Sequence, residues 1–310
     1  MTGADVSSGD AAPAIRPVQE QGEIFAVQRM GEYVQFTVVA PGVAEHFRPG
    51  HFVAVAVGGA QTSMILRRAF ALYDATPAGD YAGTVQFVVA AHGPGTQWLV
   101  ERKPGDVLDI VGPLGRPFAL PEPGQGAVLV GGGYGTAPLV PLARALLAAG
   151  SAIEVIIGAA TAGRLFGELV VRRTVGSVLV TTDDGSAGQR GVVTDPLPEA
   201  IRRVDAKVVY ACGPMPMLRA VGDVAAAAGV RAQVAVEEAM ACGIGVCMTC
   251  VLPVRSRDGR SRFVRSCVEG PVFDAAAVRW DDVGRLPSDL VGADAMGLPL
   301  VAGPGRGARA

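Results

Sequence analysis

Four cysteines near the carboxyl end of the chain have the most distinctive spacing in the sequence. Their pattern is C-x4-C-x2-C-x16-C, formed by Cys242, Cys247, Cys250 and Cys267. Three closely spaced thiolates followed by a distant fourth are typical of plant-type [2Fe–2S] clusters, in which two sulfur ligands bind each iron. Gly243 and Gly245 separate the first two cysteines, and residues without a Cβ let a loop wrap tightly round a cluster. The segment therefore predicts a [2Fe–2S] site.

Zinc is the alternative metal for the same four ligands. Structural zinc sites commonly place cysteines in separated pairs whose members are about two to four residues apart. A trio followed by one distant cysteine fits that arrangement less well than it fits a cluster. The chain has five cysteines, an odd number crowded toward one end, which differs from the disulfide framework of a secreted protein and indicates a reducing compartment.

A second group of residues could hold a flavin and its diphosphate. It combines an arginine, small residues and an aromatic after a predicted strand with a later glycine–threonine loop: Arg68, Ala69, Phe70, Ala71, Gly93, Gly95 and Thr96. A guanidinium binds phosphate oxygens in bidentate fashion, and free loop amides can bind the others. Because nearly all of the 27 basic residues are arginines, however, an arginine here, taken alone, more often belongs to a solvated surface, and Phe70 more often belongs to the core.

A third group could bind a dinucleotide. A glycine-rich stretch between a predicted strand and a predicted helix contains Gly132, Gly133, Gly135 and Thr136, and a pyrophosphate can meet the amino end of such a helix. The stretch departs from G-x-G-x-x-G because its last position is threonine. Another predicted strand ends at Cys212, Gly213 and Pro214, and ligands of parallel sheets bind at the carboxyl ends of the strands. Taken alone, Cys212 is better explained as a small buried side chain.

The elements that must position these residues change in character near residue 122. Before it, short β-rich runs separated by turns, such as 33–39, 51–57 and 84–89, indicate a barrel or sandwich. After it, predicted strands at 127–130, 153–157, 177–181 and 207–211 alternate with helical segments such as 138–149, which indicates a parallel α/β sheet. The predicted fold is an antiparallel β-barrel flavin domain, a parallel-sheet α/β nucleotide domain and a small C-terminal [2Fe–2S] domain.

Composition narrows the function classes. The chain has 310 residues, is 50% hydrophobic and carries a formal net charge of −2, which disfavours a nucleic-acid or anionic-membrane partner. Its 42 glycines indicate many turns and close backbone approaches. The uncharged stretch 123–143 contains three consecutive glycines and several prolines, so we expect a buried strand, loop and helix there rather than a membrane span. The first residues have neither the basic region nor the apolar region of a signal peptide, and we therefore expect a cytoplasmic protein.

Together these segments resemble the ferredoxin-reductase superfamily. Residues 68–71 match its R-x-[YF]-[ST] flavin motif with Ala71 in place of the hydroxyl residue, 132–138 match its G-G-x-G-x-A-P loop, and 212–214 match its C-G-P motif. Within that superfamily, 182–188, 191–195, 237–245 and 267–273 are similar to the electron-transfer subunits of class 1B dihydroorotate dehydrogenases. The resemblance covers about residues 20–282. Tyr134 departs from it, because the family usually has an aliphatic residue there.

This resemblance implies an oxidoreductase subunit of pyrimidine biosynthesis that holds FAD and one [2Fe–2S] cluster. Its partner would be an FMN-containing catalytic subunit that oxidises dihydroorotate, in a heterotetramer, and its electron acceptor would be NAD. The implied order of electron carriers, cluster then flavin then NAD, is chemically consistent. A cluster transfers single electrons, nicotinamide takes a hydride, and a flavin converts between the two. No acid–base residue of this chain is required, so we predict no catalytic side chain.

The implied domain order is a tail at 1–17, an FAD-binding barrel at 18–122, an NAD-binding domain at 123–232, a [2Fe–2S] domain at 233–282 and a tail at 283–310. Two alternatives stay open. One is an NAD(P)H diaphorase or reductase subunit of another flavin iron–sulfur system, of the hydrogenase, sulfide or oxygenase type. The other is a zinc-bearing binding protein without redox activity on a degenerate barrel.

Overall fold

The computed structural model describes residues 17–59, 62–79, 82–256, 258–287 and 289–291. The first part of this range is a closed antiparallel barrel with the strand order β1-β2-β5-β4-β3-β6. Alternate residues of its strands point inward, and Phe36 and Phe87 stack inside with ring centroids 5.6 Å apart. Its elements are β1 (Val18–Met30), β2 (Tyr33–Val39), α1 (Pro41–Glu45), β3 (Phe52–Val55), β4 (Arg68–Thr76), β5 (Thr84–Ala90), α2 (Pro94–Val100) and β6 (Val107–Leu114).

The second part is a sheet in which β10, β9, β8, β7, β11 and β12 lie side by side and parallel. Helices α3 and α4 cover one face of the sheet, and α5 and α6 cover the other. Both faces are therefore apolar: Leu129 of β7 packs with the first helix pair, whereas Val128 and Val130 pack with the second. The elements are β7 (Gly126–Gly132), α3 (Leu139–Ala148), β8 (Ile153–Ala159), α4 (Glu168–Val175), β9 (Leu179–Thr182), β10 (Gln189–Arg190), α5 (Leu197–Arg203), β11 (Ala206–Cys212), α6 (Met215–Ala227) and β12 (Arg231–Ala235).

The cysteine-containing segment is built on the hairpin β13 (Val251–Arg255) and β14 (Ser261–Arg265). It then returns to the large sheet, where β15 (Val272–Asp274) pairs antiparallel with β12. These observations confirm the predicted fold class. The predicted division between 232 and 233 falls inside β12, because sheet pairing extends that strand to Ala235. We therefore propose that the α/β domain continues to Val236.

The predicted tails are described only in part, since 1–16 and 292–310 lie outside the described residues. Asp289, which belongs to the predicted C-terminal tail, accepts a hydrogen bond from the Ser261 hydroxyl at 2.6 Å. Arg279 contacts the same carboxylate. The residues up to 291 therefore pack on the β13–β14 hairpin. In the described part of the chain, every helix is too short or too polar to cross a bilayer.

The barrel is joined to the sheet through Ala119, which follows β6. The Ala119 carbonyl accepts hydrogen bonds from the buried Tyr210 hydroxyl and the Gln233 amide, both at 2.8 Å. The Ala119 N–H donates to the Gln233 carbonyl oxygen at 2.9 Å. Gln233 and Tyr210 are buried, whereas Ala119 itself is exposed. This joint holds the two domains in a defined orientation around the site described below.

The joint makes a testable contribution to stability. Gln233→Leu removes both hydrogen bonds that the Gln233 amide makes with Ala119, and we expect the free energy of unfolding to fall by about 1–3 kcal/mol. Gln28→Leu, an exposed glutamine on β1, is the matched control and should change it by less than about 0.5 kcal/mol. Denaturant unfolding measures both. Equal effects of the two substitutions would show that the joint is not stabilising.

Candidate functional site

A cavity of about 1010 Å³ lies between the barrel and the carboxyl edge of the parallel sheet. Its position is the one in which open α/β sheets bind ligands. The cavity brings together eight of the predicted site residues, namely Ala69, Ala71, Gly132, Gly133, Gly135, Cys212, Gly213 and Pro214. The flavin-like and dinucleotide-like segments, which lie far apart in the sequence, therefore face one shared space that is large enough for parts of two cofactors.

The flavin-like motif on β4 is divided between the two faces of its strand. Ala69 and Ala71 line the cavity, whereas the Phe70 ring turns toward the barrel core and stacks on Phe87 with centroids 5.3 Å apart. Arg68 points to the same side as Phe70, as the alternation of a strand requires. The small side chains of Ala69 and Ala71 thus leave room for a flat ring on the cavity side, while Phe70 packs against the barrel core.

The two adjacent arginines have different environments. Arg67 donates to the Asp109 carboxylate at 2.8 Å and to the Asp109 carbonyl at 2.9 Å. Although burial acts to raise it, these bonds and one from Gln19 hold the pKa of Asp109 below its ordinary value. Arg68 forms hydrogen bonds only with nearby carbonyls, at Leu66 and Arg67, among the described residues. Its charge is therefore available to a phosphate.

Arg68 extends over the first turn of α2. A Cβ on Gly95 would lie 2.9 Å from Arg68 Nε, so the guanidinium rests directly against this backbone. The Thr96 hydroxyl accepts hydrogen bonds from the N–H groups of His92 and Gly93 at 2.9 and 3.1 Å. Thr96 thus shapes the loop, and the diphosphate would be bound by Arg68 together with first-turn amides, which have no partner inside a helix. The predicted residues Arg68, Gly93, Gly95 and Thr96 are brought together beside the cavity.

The glycine-rich loop after β7 forms a short 3-10 helix over Gly133–Thr136. A Cβ on Gly135 would lie 2.5 Å from the carbonyl oxygen of Cys212, so only glycine allows the loop to pack on the end of β11. The glycine-rich loop and residues 212–214 are therefore in contact through their backbones. Thr136 is fully buried behind the loop and does not line the cavity. Among the predicted nucleotide residues, Thr136 is therefore the one that packs in the interior and does not face the cavity.

Tyr134 and Glu237 meet across the cavity. The Tyr134 hydroxyl donates to Glu237 Oε1 at 2.5 Å, and burial and this hydrogen bond raise the pKa of Tyr134 above its ordinary value. Burial, with the Glu237 carboxylate, raises the pKa of the Cys212 thiol to about 12, so Cys212 is a neutral thiol. Glu237 lies two residues after the end of β12, a parallel strand, and that position is the sequence signal that could have identified it as a site residue.

Asp183 is another cavity residue at the carboxyl end of a parallel strand. It follows β9 and lines the cavity with Arg164. Its neighbour Asp184 has a structural role instead, since it accepts from the Ser186 hydroxyl at 2.6 Å while Ser186 Oγ accepts from the Ala162 N–H. The loops after β8 and β9 are therefore tied together, with the Asp183 carboxylate beside the cavity.

The four predicted cysteine ligands lie in and around the loop 242–250, here named the cysteine loop. Gly245 has φ of +82°, and a Cβ there would lie 2.5 Å from a Val268 methyl group. The N–H groups of Val246 and Cys247 point at Cys242 Sγ, at 3.3 and 3.5 Å. Amides directed at sulfur and glycines at positive φ are what a loop wrapped round a sulfide cluster needs.

The sulfur atoms fall into two pairs. Cys247 contacts Cys242, and Cys267 contacts Cys250. Within the described residues no three acidic, histidine or cysteine side chains converge on a single-ion site. Hydrogen bonds from Thr249 lower the pKa of Cys247 to about 6, whereas burial raises the pKa of Cys267 to about 12. A buried thiol pair becomes ionised only with a cationic partner, so the donor set fits two irons with two thiolates each.

The cysteine loop rests on the barrel next to the cavity. Cys250 and Cys267 are buried against Phe52 and Ala54 of β3. In the β3–β4 register Phe52 lies opposite Ala71, and Ala54 lies opposite Ala69. Opposed residues share a face of the sheet, and adjacent strands are about 4.8 Å apart. These four residues, here named the shared face, therefore place the cysteines one strand away from the cavity. Nothing in the sequence marks Phe52 or Ala54 for this role.

Comparison with known proteins matches the same segments. Residues 237–279 match the family model described as the iron–sulfur cluster binding domain of dihydroorotate dehydrogenase B. The dihydroorotate dehydrogenase B (NAD(+)) electron transfer subunit of Desulforamulus reducens is 33% identical over 258 residues, which are 83% of this chain and 96% of that protein. The subunit of the same name from Caldanaerobacter subterraneus subsp. tengcongensis is 38% identical over 230 residues, 74% of this chain and 86% of that protein.

Solved structures share the architecture. A chain from the study of the NADH-dependent reduced ferredoxin-NADP oxidoreductase superposes with a TM-score of 0.74 and 31% identity, over 86% of this chain and 93% of that chain. The ferredoxin reductase in carbazole 1,9a-dioxygenase has the same fold, with a TM-score of 0.60 at 22% identity over 70% of this chain and 68% of that chain. The family match over the cysteine loop favours iron–sulfur over the zinc alternative.

The adjacent arginines allow a matched test of the flavin side. Arg68→Met removes a charged phosphate donor, and we expect roughly a 10-fold to 100-fold loss of FAD affinity with no change in the stability of the flavin-free protein. Arg67→Met leaves Asp109 without its cationic partner and should instead lower that stability by about 2 kcal/mol. Flavin-fluorescence titration and denaturant unfolding provide the readouts. The interpretation fails if Arg67→Met proves to be the variant that loses FAD without losing stability.

The cysteines allow a second matched test. Cys250→Ala removes a buried ligand, and we expect the visible iron–sulfur absorbance to disappear while FAD stays bound, because the flavin contacts lie on β4 and α2. Cys212→Ala changes the cysteine outside the ligand set and should leave the cluster spectrum intact. Iron and flavin content of the purified variants are measured alongside the spectra. A persistent cluster in Cys250→Ala would show that the ligand set is wrong.

Proposed function

Because this chain belongs to the family of electron transfer subunits of dihydroorotate dehydrogenase B, we propose that it carries electrons from a dihydroorotate-oxidising FMN subunit through [2Fe–2S] and FAD to NAD. The observation that carries this function is the shared face. It puts the buried cysteine pair beside the flavin side of the cavity, with only one strand spacing between them. The chain is thereby arranged to transfer electrons rather than to transform a substrate with its own side chains.

The flavin side is organised by β4 and α2. Arg68 and the first-turn amides of α2 would hold the diphosphate, and Ala69 and Ala71 would accommodate the ring on the cavity side. Bound FAD supplies the conversion between single electrons and a hydride. The residues of this chain bind and orient the cofactors.

Electrons would enter at the tip of the cysteine loop. Ile244, Val246 and Met248 are exposed to 54%, 75% and 53%, and they form an apolar surface directly over the sulfur ligands. Exposed apolar groups of this kind are typical of protein–protein contacts. We propose that the catalytic FMN subunit covers this surface, with two copies of each subunit in a heterotetramer, so that electrons reach the cluster without crossing water.

The nucleotide side selects NAD in this proposal. The glycine-rich loop and residues 212–214 would hold the pyrophosphate and nicotinamide portions. Asp183, at the carboxyl end of β9, is placed to accept from a ribose hydroxyl and to repel a 2′-phosphate, as acidic residues after such strands do. The names of the similar subunits also specify NAD(+). Dihydroorotate oxidation belongs to pyrimidine biosynthesis, for which a cytoplasmic location is proposed.

The similarity to the reduced ferredoxin-NADP oxidoreductase chain supports a second candidate. The same three sites would serve an NAD(P)H-linked reductase subunit of another flavin iron–sulfur system, including the hydrogenase, sulfide and oxygenase types. The two candidates share all chemistry within this chain and differ only in the protein that docks at the cysteine loop. The partner is therefore what an experiment has to identify.

Reconstitution with an FMN-containing dihydroorotate-oxidising subunit from the same genome tests the function. We expect a stable complex that forms NADH from dihydroorotate and NAD, at a rate that the FMN subunit alone does not reach. Absence of NADH formation in a complex loaded with all three cofactors would contradict the proposal. If NADH-driven dye reduction nevertheless persists in the isolated subunit, the second candidate is favoured.

The docking surface can be tested in the same system. Val246→Asp puts a charge on the tip of the cysteine loop and should weaken partner binding at least about 10-fold, because an unpaired charge is buried at the interface. Leu169→Asp, an equally exposed apolar position on α4, is the matched control and should leave binding unchanged. NADH-driven dye reduction should persist in both variants. Equal binding by both would place the partner elsewhere.

A further inference from the structure

Tyr134 and Glu237 are the only pair of side chains joined by a hydrogen bond across the cavity in the described residues. Tyr134 lies on the glycine-rich loop after β7, and Glu237 follows β12 at the start of the segment that leads to Cys242. The hydroxyl donates to the carboxylate at 2.5 Å. Both side chains line the cavity, beside the Cys212 end of β11 and between the nucleotide loop and the barrel. The functions assigned so far use neither of them.

Both groups are held on rigid supports. The loop that carries Tyr134 packs on the carbonyl of Cys212 through Gly135, and the Tyr134 ring lies 5.9 Å from the ring of Tyr33 on β2. Val236, immediately before Glu237, donates its N–H to the Pro271 carbonyl at 2.9 Å. The pair therefore presents one donor and one acceptor at positions that the backbone fixes. Such a prearranged pair is suited to binding a group that offers the complementary acceptor and donor.

A carboxamide is such a group. Its carbonyl oxygen accepts a hydrogen bond and its NH2 donates, as in Asn and Gln side chains. A phenol can donate to that carbonyl while a carboxylate accepts from the NH2, so the bond between Tyr134 and Glu237 would be exchanged for two bonds to the ligand. Nicotinamide carries a carboxamide, and its ring must lie where the nucleotide loop, the end of β11 and the barrel meet if a hydride is to pass to the flavin.

We propose that Tyr134 and Glu237 together bind the carboxamide of nicotinamide, with Tyr134 donating to its carbonyl and Glu237 accepting from its NH2. This assignment rests on the proposed NAD function and adds the residues that orient the nicotinamide ring. Ala71, which lines the same cavity, has no hydroxyl that could bind the carboxamide.

The first test compares two nucleotides on the oxidised protein loaded with FAD and cluster. Tyr134→Phe keeps the ring and removes the donor, and we expect NAD+ affinity to fall about fivefold to tenfold by calorimetric titration. Affinity for ADP-ribose, which has the adenosine and both phosphates but no nicotinamide, should not change. Tyr33→Phe is the matched control, because the Tyr33 hydroxyl donates to the Arg164 carbonyl at 3.0 Å. Tyr33→Phe should change the affinities for NAD+ and for ADP-ribose by the same factor.

The second test uses a NAD+ analogue with part of the carboxamide replaced. Acetylpyridine adenine dinucleotide keeps the carbonyl oxygen and lacks the NH2. Tyr134→Phe should therefore weaken binding of this analogue as it weakens NAD+, whereas Glu237→Ala should weaken NAD+ and leave the analogue unaffected. Flavin absorbance and thermal midpoints of the variants show that the fold and the bound FAD are intact.

The outcomes separate this inference from the function it rests on. If the unaltered protein with both cofactors binds neither NAD+ nor ADP-ribose, the NAD function fails and the inference fails with it. If the unaltered protein binds both, and Tyr134→Phe retains full NAD+ affinity, the inference alone is overturned. A parallel loss of NAD+ and ADP-ribose affinity in Tyr134→Phe also overturns it, since the pair would then bind the adenosine end.

Discussion

The antiparallel pairing of β3 with β4 is the constraint on which the rest of the site depends. Its register puts Phe52 and Ala54 opposite Ala71 and Ala69, so that one pair contacts the buried cysteines and the other lines the cavity. A slip of one residue would turn the two side chains of the slipped strand to the other face of the barrel wall. The separation between the buried cysteines and the cavity is thus determined by hydrogen bonds between two short strands rather than by flexible loops.

The small side chains of this face have a physical reason. A Cβ on Gly243 of the cysteine loop would already lie 3.3 Å from the Ala54 Cβ, and the alanines on β4 leave the cavity side of the strand open. Larger residues would push both redox groups outward. Phe52 and Ala54 are buried under the cysteine segment, whereas Ala69 and Ala71 stay exposed on the cavity side, where a bound ring would cover them.

The sequence predicted the three-part fold and the cysteine segment because both have local signatures. Strands that alternate with helices, and thiolates at cluster spacing, are visible without any knowledge of tertiary contacts. The antiparallel addition of β15 to β12 was missed, since it depends on a partner 40 residues away. The different roles of Arg67 and Arg68, the inward turn of Phe70 and the contact of Tyr134 with Glu237 could not be predicted either. Each follows from which face of an element a residue occupies after packing.

The central claim is that this chain alone connects its cluster to NAD through the flavin. Anaerobic rapid mixing of the chemically reduced, partner-free protein with NAD+ tests it most directly, with cluster absorbance followed over time. The account predicts that the cluster is re-oxidised as NADH forms, and that in protein stripped of FAD the cluster stays reduced. Re-oxidation by NAD+ in the FAD-free protein, or a cluster that stays reduced with FAD bound, would contradict it.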